Sequence, residues 1–317
     1  MKKSLKHVFT GALFISGLIG LILAMSFVLA PIQNGKNIGL LPPVLYECVY
    51  EPKDSIDILV LGNSETRVSM NPLQLWKEHG YSSVCCGTSG QSVSQANMIL
   101  NFAAEYQSPE IVIAETDMLY THQSVYRAFL DGIQSFLPAF ITHNRWKSMY
   151  DTRIDTLADY TDITETKNFH YTTEIHSADT SNYMIPTDDC EPIPLVNRFY
   201  LQKIKKCCDK IGAKLLLVSA PSVLNWTTAR HNGVLEFAEK YNVDFIDMNL
   251  LRDEIPIDWN TDTLDQGDHV NYYGSKKTTA YLGNYLYQTG LLKSHKGDSG
   301  YDSWNVLEKK FYDQTNP

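Results

Sequence analysis

Short apolar runs alternate with amphipathic stretches along most of the chain, and this alternation constrains the fold more than any other feature. Such alternation predicts a parallel sheet whose two faces are covered by helices, because parallel strands need crossover connections. The predicted strands are 57–61, 83–86, 110–114, 214–218 and 244–247. The predicted helices, recognised from apolar residues spaced three and four apart, are 72–79, 91–106, 196–211, 234–241 and 275–292.

The pattern predicts one three-layer α/β/α domain over residues 54–293, preceded by a linker at 31–53 and followed by a tail at 294–317. Residues 120–195 interrupt it, are rich in Tyr, Thr, Asp and Asn, and have no strand period. A structureless loop of that length is uncommon in a compact domain. We therefore expect a mostly helical insertion that covers one edge of the sheet.

The first thirty residues differ from the rest. Three lysines precede an uncharged run over residues 8–30, which is long enough to cross a bilayer of about 30 Å as a helix. A cleaved signal peptide is the alternative, but the run is longer than a usual signal core and Pro31 follows the best cleavage site. The sequence predicts a membrane anchor over residues 1–30, with residues 31 onward outside the cytoplasm.

The remainder of the chain is acidic. The whole sequence has 27 basic and 36 acidic residues, and without the three lysines of residues 1–30 the rest has a formal charge of −12. Such a domain is a poor candidate for binding nucleic acid or anionic lipid. It would also repel a strongly anionic wall polymer unless the substrate carries positive charge or the site is locally basic.

The cysteines do not indicate a metal site. There are six of them, two adjacent pairs and two single residues, with no C-x-x-C spacing. We predict no metal and no cofactor. A disulfide is possible outside the cell, although the sequence does not assign its pairing. Apolar packing is the simpler expectation for Cys85, Cys86 and Cys207.

Polar residues directly follow the predicted strands, where ligands of open parallel sheets bind. After the first strand comes "GNSE", residues 62–65, in which Ser64 is a candidate nucleophile. A tight turn after a strand exposes a serine oxygen and directs backbone N–H groups toward a developing oxyanion. The alternative is that Ser64 caps a helix. Glu65 and Arg67 are weaker candidates for substrate contact, with surface ion pairing as the alternative.

Two further turns offer supporting groups. The glycine-rich segment 87–92 follows the second strand, so a backbone N–H of this turn is a candidate oxyanion donor and Gln91 a candidate substrate contact. The alternative is a simple turn with a helix cap at Ser89. Glu115 and Asp117 follow the third strand and could bind a hydroxyl or position another side chain, or could form an Asx-type turn.

The segment "DQGDHVNYYG", residues 265–274, supplies a candidate base near the end of the domain. His269 lies among carboxylates in a polar turn before a helix. A general base needs this setting, because one ring nitrogen must face the serine while an acid holds the other. Asp265 and Asp268 are both candidates for that acid. Asn271 is a weaker candidate for substrate contact.

With a serine after the first strand and a histidine in the last turn, the chain resembles esterases and acyltransferases of the SGNH/GDSL superfamily, which have a flavodoxin-like sheet. More narrowly, "GNSE", "DHVNYYG" and the N-terminal anchor resemble the extracytoplasmic group that includes the D-alanyl transfer protein of teichoic acid modification and the alginate O-acetylation proteins. The resemblance covers residues 54–119 and 196–292.

The resemblance implies that Ser64 is the nucleophile, His269 its base, and the N–H groups of Ser64 and Gly90 oxyanion donors. The sequence departs from the family pattern at two places. The family's orienting acid usually stands three residues before the histidine, where this chain has Gln266. Residues 115–117 have no side-chain amide, whereas the family usually has an Asn donor after the third strand.

The function expected from this resemblance is a membrane-anchored, extracytoplasmic serine acyltransferase or O-acyl esterase. It would act on a cell-surface polysaccharide or wall polymer through an acyl-serine intermediate, with a membrane-bound O-acyltransferase as partner. The alternative is a non-catalytic surface protein on the same fold. Such a protein would bind glycan or a partner through aromatic residues of the insertion, such as Phe136, Phe140, Trp146 and Tyr150.

Overall fold

The computed structural model describes residues 2–29, 32–33, 36–37, 45–136 and 165–315 of the 317-residue chain. The chain divides into two compact units. One comprises residues 1–42 and 126–159, and the other residues 43–125 and 160–317. The second unit contains the sheet and every candidate site residue.

The sheet has five parallel strands in the order β2-β1-β3-β4-β5, which is the flavodoxin-like order. All four neighbouring pairs are parallel, as the strand–helix alternation predicts. The strands are β1 (Ile58–Leu61), β2 (Ser83–Cys85), β3 (Ile111–Glu115), β4 (Lys214–Ser219) and β5 (Asp244–Asp247).

Helices connect the strands, and most begin or end at the residue types that local rules favour. For example, the helix Pro72–His79 has a proline in its first turn and ends at Gly80 in the left-handed region. Short 3-10 helices cover Asp117–Tyr120 and Ser299–Tyr301. The α-helices are α1 (Lys2–Leu29), α2 (Tyr46–Tyr50), α3 (Ser64–Ser69), α4 (Pro72–His79), α5 (Val93–Ala103), α6 (Val125–Phe136), α7 (Leu195–Ile211), α8 (Thr228–Tyr241), α9 (Tyr272–Thr289) and α10 (Asp302–Thr315).

The core lies on both faces of the sheet. Alternate strand residues such as Ile58, Ile113 and Val218 pack with Leu282 and Leu286 of α9, while α5 and α7 pack against each other. Strands β1, β2 and β3 are buried at every residue, and β1 and β3 are nearly continuous apolar runs rather than alternating ones. This three-layer α/β/α arrangement confirms the predicted fold class.

The C-terminal tail belongs to the domain. Helix α10 buries Trp304 and Phe311 against Leu73, Trp76 and Tyr272. The predicted linker also contributes to the core, because α2 buries Cys48, whose Sγ lies 4.0 Å from the Sγ of Cys86. The predicted apolar setting of Cys85, Cys86 and Cys207 is confirmed, since all three are buried thiols.

The insertion at 120–195 is only partly helical in the residues that the structure describes. Helix α6 fits the prediction, and residues 137–164, with Phe140, Trp146 and Tyr150, lie outside the described residues. Residues 167–194 consist of turns and irregular backbone, so the expectation of helix is wrong there. Three prolines and many Thr and Asp residues explain this, because they favour turns over helix.

The N-terminal unit contains α1. Within it, residues 7–26 form a helix that is long and apolar enough to span a membrane. Residues Ile32–Gln33 and Lys36–Asn37 pair as a short antiparallel ladder.

Candidate active site

The turn after β1 leaves the hydroxyl of Ser64 free of a capping role. Asn63 is the N-cap of α3, and its Oδ1 accepts a hydrogen bond from the N–H of Glu65 at 3.1 Å. Ser64 is the first residue of the helix and is half-buried. The alternative that Ser64 caps the helix is therefore wrong. Its N–H belongs to the first turn, where no intrahelical acceptor exists.

Close packing fixes this turn. A Cβ at Gly62 would lie 2.4 Å from Thr66 Cγ2 and 2.7 Å from Glu115 Cβ. A Cβ at Gly87, in the turn after β2, would lie 1.8 Å from Thr66 Oγ1 and 2.8 Å from the carbonyl oxygen of Asn63. Glycine is thus required at both positions, since any side chain would displace the backbone around Ser64.

His269 connects Ser64 to Asp265. Its Nε2 lies 2.8 Å from Ser64 Oγ, and its Nδ1 lies 2.7 Å from Asp265 Oδ2. The backbone N–H of His269 also donates to Asp265 Oδ1 at 2.7 Å. If Nε2 is to accept the serine proton, Nδ1 must carry a proton and donate it to the carboxylate. The three side chains form the hydrogen-bonded series of a nucleophile, a base and an orienting acid.

Of the two candidate acids, the structure pairs Asp265 with the imidazole. Asp268 Oδ2 is 3.6 Å from His269 Nδ1, beyond hydrogen-bond distance, and Asp268 Oδ1 accepts from Asn225 Nδ2 instead. The loop can turn Asp265 back to the ring because Gln266 and Gly267 both have left-handed backbone, with φ of 63° and 93°. This backbone conformation brings the carboxylate of Asp265, which stands four residues before His269, to the imidazole ring.

Buried acids lie near the Ser64 turn. Glu65 is only 1% exposed, and neither of its carboxyl oxygens has a hydrogen-bond partner among the described residues. Burial, and then the nearby charge of Glu115, raises the pKa of Glu65 well above its ordinary value. Burial also raises the pKa of Glu115 to about 8. For Glu115, this pKa favours the neutral form near pH 7.

Asp117 contacts the Ser64 turn directly. Its Oδ2 accepts from Asn63 Nδ2 at 2.5 Å, and its backbone N–H donates to both carboxyl oxygens of Glu115 at 3.0 Å. Burial raises the pKa of Asp117, while the hydrogen bond from Asn63 and the charge of Arg230 act in the opposite direction. The candidate positioning role of Asp117 therefore acts on Asn63, the residue before the nucleophile.

The two candidates in the turn after β2, Gly90 and Gln91, differ in burial and in hydrogen bonding. Gly90 is exposed, has φ of 64°, and has open space where a Cβ would lie. Gln91 is buried, with Oε1 accepting from Thr88 Oγ1 at 3.3 Å. The predicted roles of the Gly90 N–H and of Gln91 stay predictions. The helix cap in this turn is Ser92 rather than Ser89.

Arg67 and Asn271 have different surroundings. The carbonyl oxygen of Arg67 accepts from the N–H of His170, and burial, with the charge of Arg67, lowers the pKa of His170. Asn271 caps α9 through Oδ1, and its Nδ2 donates to the carbonyl oxygens of Glu174 and Thr261. The amide of Asn271 is thus committed to the fold, which argues against substrate contact.

Sequence reasoning missed several residues that hold the site. Asn63 was not singled out, although it caps α3 and binds Asp117 across 54 positions. Asn225 holds the Asp268 carboxylate, and Asn168 donates to the carbonyl oxygens of Cys85 and Gly87. An N-cap residue at position 63 was recognisable from the sequence, but these long-range partners were not.

A metal ion would compete with this arrangement. Glu65, Asp268 and His269 each have one possible ligand atom within 4.8 Å of the others. However, both ring nitrogens of His269 already lie within hydrogen-bond distance of Ser64 and Asp265. A bound metal would therefore take a nitrogen away from the Ser64–His269–Asp265 series.

No family model and no curated protein matches the chain. Among solved structures, it is similar to the psychrotrophic esterase EstA from Pseudoalteromonas sp., with 10% identity, a TM-score of 0.41, and 74% of this chain and 99% of that chain covered. It is similar to the lipase/acylhydrolase from Enterococcus faecalis, with 11% identity, a TM-score of 0.39, and 74% and 97% covered.

A third similar structure is a GDSL-like lipase from Bacteroides thetaiotaomicron VPI-5482, with 12% identity, a TM-score of 0.36, and 73% of this chain and 88% of that chain covered. At this level of similarity, any conclusion about activity must come from the side chains themselves.

Proposed function

We propose that this protein is a serine O-acyl esterase or O-acyltransferase that forms an acyl-serine intermediate. The observation that carries the proposal is the continuous series from Ser64 Oγ to His269 Nε2 at 2.8 Å and from His269 Nδ1 to Asp265 Oδ2 at 2.7 Å. A serine hydroxyl becomes a competent nucleophile when a base of this kind accepts its proton.

In the proposed reaction, Ser64 Oγ attacks the carbonyl carbon of an acyl ester while His269 accepts its proton. The tetrahedral intermediate collapses, the ester C–O bond breaks, and His269 returns the proton to the leaving alcohol. A sugar hydroxyl or water then attacks the acyl carbon while His269 accepts its proton, the bond from that carbon to Ser64 Oγ breaks, and His269 returns the proton to Ser64. The N–H groups of Ser64 and Gly90 would bind the oxyanion.

The proposed location is extracytoplasmic. The apolar helix at residues 7–26 supports a single-pass anchor, and the lysines on its N-terminal side favour a cytoplasmic N-terminus. A cell-surface polysaccharide or wall polymer would then be the accessible substrate, and a membrane-bound O-acyltransferase would be a suitable source of acyl groups. The acidic composition of the exposed part disfavours a strongly anionic polymer.

A fluorophosphonate probe tests the nucleophile. The full chain in detergent should be labelled covalently, and Ser64→Ala should not. Ser89→Ala is a matched control, because Ser89 is an exposed serine in the neighbouring turn after β2 and has no partner role in the Ser64 series. It should be labelled like the wild type. A folded wild-type chain that stays unlabelled would favour the non-catalytic binding function instead.

A further inference from the structure

A cavity lies at the edge of the sheet where Ser64 lies, beyond the carboxyl ends of β4 and β5. Its volume is about 160 Å³. Since one water needs roughly 10–15 Å³ by the same kind of measure, the cavity has room for a small polar ring. The residues that characterise its wall are Tyr183, Pro221, Met248, Asn249, Arg252 and Trp259.

Two hydrogen bonds connect the wall of this cavity to the loop of His269. Asn249 Oδ1 accepts from the N–H of Ser222 at 2.9 Å. The hydroxyl of Ser222 in turn donates to the carbonyl oxygen of Asp268 at 2.7 Å, directly before His269. The side chains of Asn249 and Ser222 therefore separate the cavity from the loop of His269. This separation is small enough for one polymeric substrate to bind in the cavity and reach His269.

The aromatic part of the wall is held in place. The rings of Tyr183 and Trp259 pack edge to face, with centroids 5.3 Å apart and an interplanar angle of 79°. The Tyr183 hydroxyl donates to Asn249 Oδ1 at 2.8 Å, which fixes the ring. The Arg252 guanidinium lies 5.1 Å from the Tyr183 centroid. A ligand would thus meet preformed ring surfaces, which is typical of small-molecule sites.

The hydrogen-bonding capacity that remains in the cavity belongs mainly to Arg252. Asn249 Nδ2 already donates to Ser219 Oγ and to the carbonyl oxygen of Ala220. Arg252 is exposed and, among the residues that the structure describes, makes one long hydrogen bond, 3.4 Å, to the carbonyl oxygen of Tyr183. Its guanidinium has five N–H donors, so most stay available to a ligand.

This combination matches a sugar ring. A pyranose has an apolar face of C–H groups, which packs on aromatic rings, and a rim of hydroxyl groups, which accept hydrogen bonds from a guanidinium. An acyl chain would gain nothing from the N–H donors of Arg252. The exposed acids Asp253 and Glu254 next to Arg252 disfavour an anionic sugar.

We propose that this cavity binds a neutral pyranose residue of the polymer whose ester Ser64 attacks. The inference rests on the proposed function and adds the chemical class of its substrate. In a polysaccharide, one sugar unit would occupy the cavity while the ester of a neighbouring unit reaches Ser64. Binding there would lower KM for polymeric esters and leave small esters unaffected, because a small ester does not reach the cavity.

Binding is best measured on the full Ser64→Ala chain in detergent, by saturation-transfer NMR titration with three neutral trisaccharides and one anionic trisaccharide. The probes are cellotriose, triacetylchitotriose, mannotriose and trigalacturonate. At least one neutral trisaccharide should bind, and Trp259→Ala should weaken that binding about tenfold or more. Arg252→Ala should act in the same direction and cannot disturb the core, since Arg252 is exposed.

Tyr287→Ala is the matched control, because Tyr287 is an exposed aromatic residue on α9, 68% exposed, and does not line the cavity. It should leave binding unchanged. The inference is overturned if no neutral trisaccharide binds up to about 20 mM, well beyond the mM range of weak sites. It is also overturned if trigalacturonate binds more tightly than every neutral probe, or if both cavity variants bind like Tyr287→Ala.

The Ser64→Ala background separates this test from that of the reaction. Saccharide binding with no fluorophosphonate labelling of the wild type would retain the subsite and reject the serine mechanism. Labelling without saccharide binding would do the reverse.

Discussion

The turn that carries Ser64 and the loop that carries His269 differ in what surrounds them. Around Ser64, the neighbouring residues are buried, and close packing of Gly62, Thr66 and Gly87 determines the backbone path. The His269 loop is partly exposed. Asp265 is 39% exposed at its side chain, and hydrogen bonds rather than packing hold it to the ring.

The two halves of the site should therefore fail in different ways. A buried, closely packed turn tolerates little added volume, because protein interiors have few voids. A partly exposed side chain such as that of Asp265 depends less on volume than on particular donor and acceptor atoms. This difference can be tested by a substitution that adds a methyl group near the Ser64 turn and by one that replaces the carboxylate acceptor in the His269 loop.

The largest effect is expected from Asp265→Asn. The substitution keeps the shape of the side chain, but an amide can no longer hold the Nδ1–H tautomer of His269. Turnover of p-nitrophenyl acetate should fall about 10²- to 10³-fold, which corresponds to about 3–4 kcal/mol in the activation free energy. Asp268→Asn is the matched control and should cost less than about fivefold, because Asp268 lies 3.6 Å from Nδ1. A larger loss from Asp268→Asn than from Asp265→Asn would show that Asp268 is the orienting acid.

Gly87→Ala tests the packed half. Its methyl group would lie 1.8 Å from Thr66 Oγ1 and 2.8 Å from the Asn63 carbonyl oxygen, so the backbone around Ser64 must move. We expect a loss of roughly 3 kcal/mol in the free energy of unfolding, the upper end of what overpacking costs. Urea denaturation of the detergent-solubilised chain, followed by circular dichroism, measures it.

Gly90→Ala is the control for that substitution, since it lies in the same turn but has open space at its Cβ. It should lose only about 1 kcal/mol, from the positive φ of 64°. Equal losses from the two variants would mean that close packing does not distinguish the two positions.

The same difference explains which features the sequence could predict. The strands and the pairing of Ser64 with His269 follow from apolar runs and from topology, since the carboxyl ends of parallel strands meet at one edge. The choice between Asp265 and Asp268 depends on the left-handed backbone at Gln266 and Gly267. Glycine signals such a conformation and glutamine does not, so the winding of the loop could not be read from the sequence.

Long-range polar partners were also beyond the sequence. The side chains of Asn63, after β1, and Asp117, after β3, form a hydrogen bond. No local sequence pattern links an amide to an acid 54 positions away. The sequence of residues 167–194 has no helix or strand periodicity, because backbone hydrogen bonds to other loops determine the conformation of this segment. Examples are those from His176 N to Thr263 O and from Gln266 N to His176 O. Periodicity reports helices and strands, whereas such a segment depends on its partners.

A smaller effect than the loss expected from Gly87→Ala concerns the buried acids near Ser64 and how stability depends on pH. Burial raises the pKa of Glu115 from 4.5 to about 8, so between these values the folded chain holds a proton that the unfolded chain has lost. Stability must then fall as pH rises through this window, by about 2 kcal/mol between pH 6 and pH 8 from this group. Glu115→Gln should remove that share of the fall, and its Oε1 can still accept from the Asp117 N–H. Urea denaturation at both pH values measures the slope, and parallel losses in variant and wild type would show that Glu115 is ionised in the folded chain.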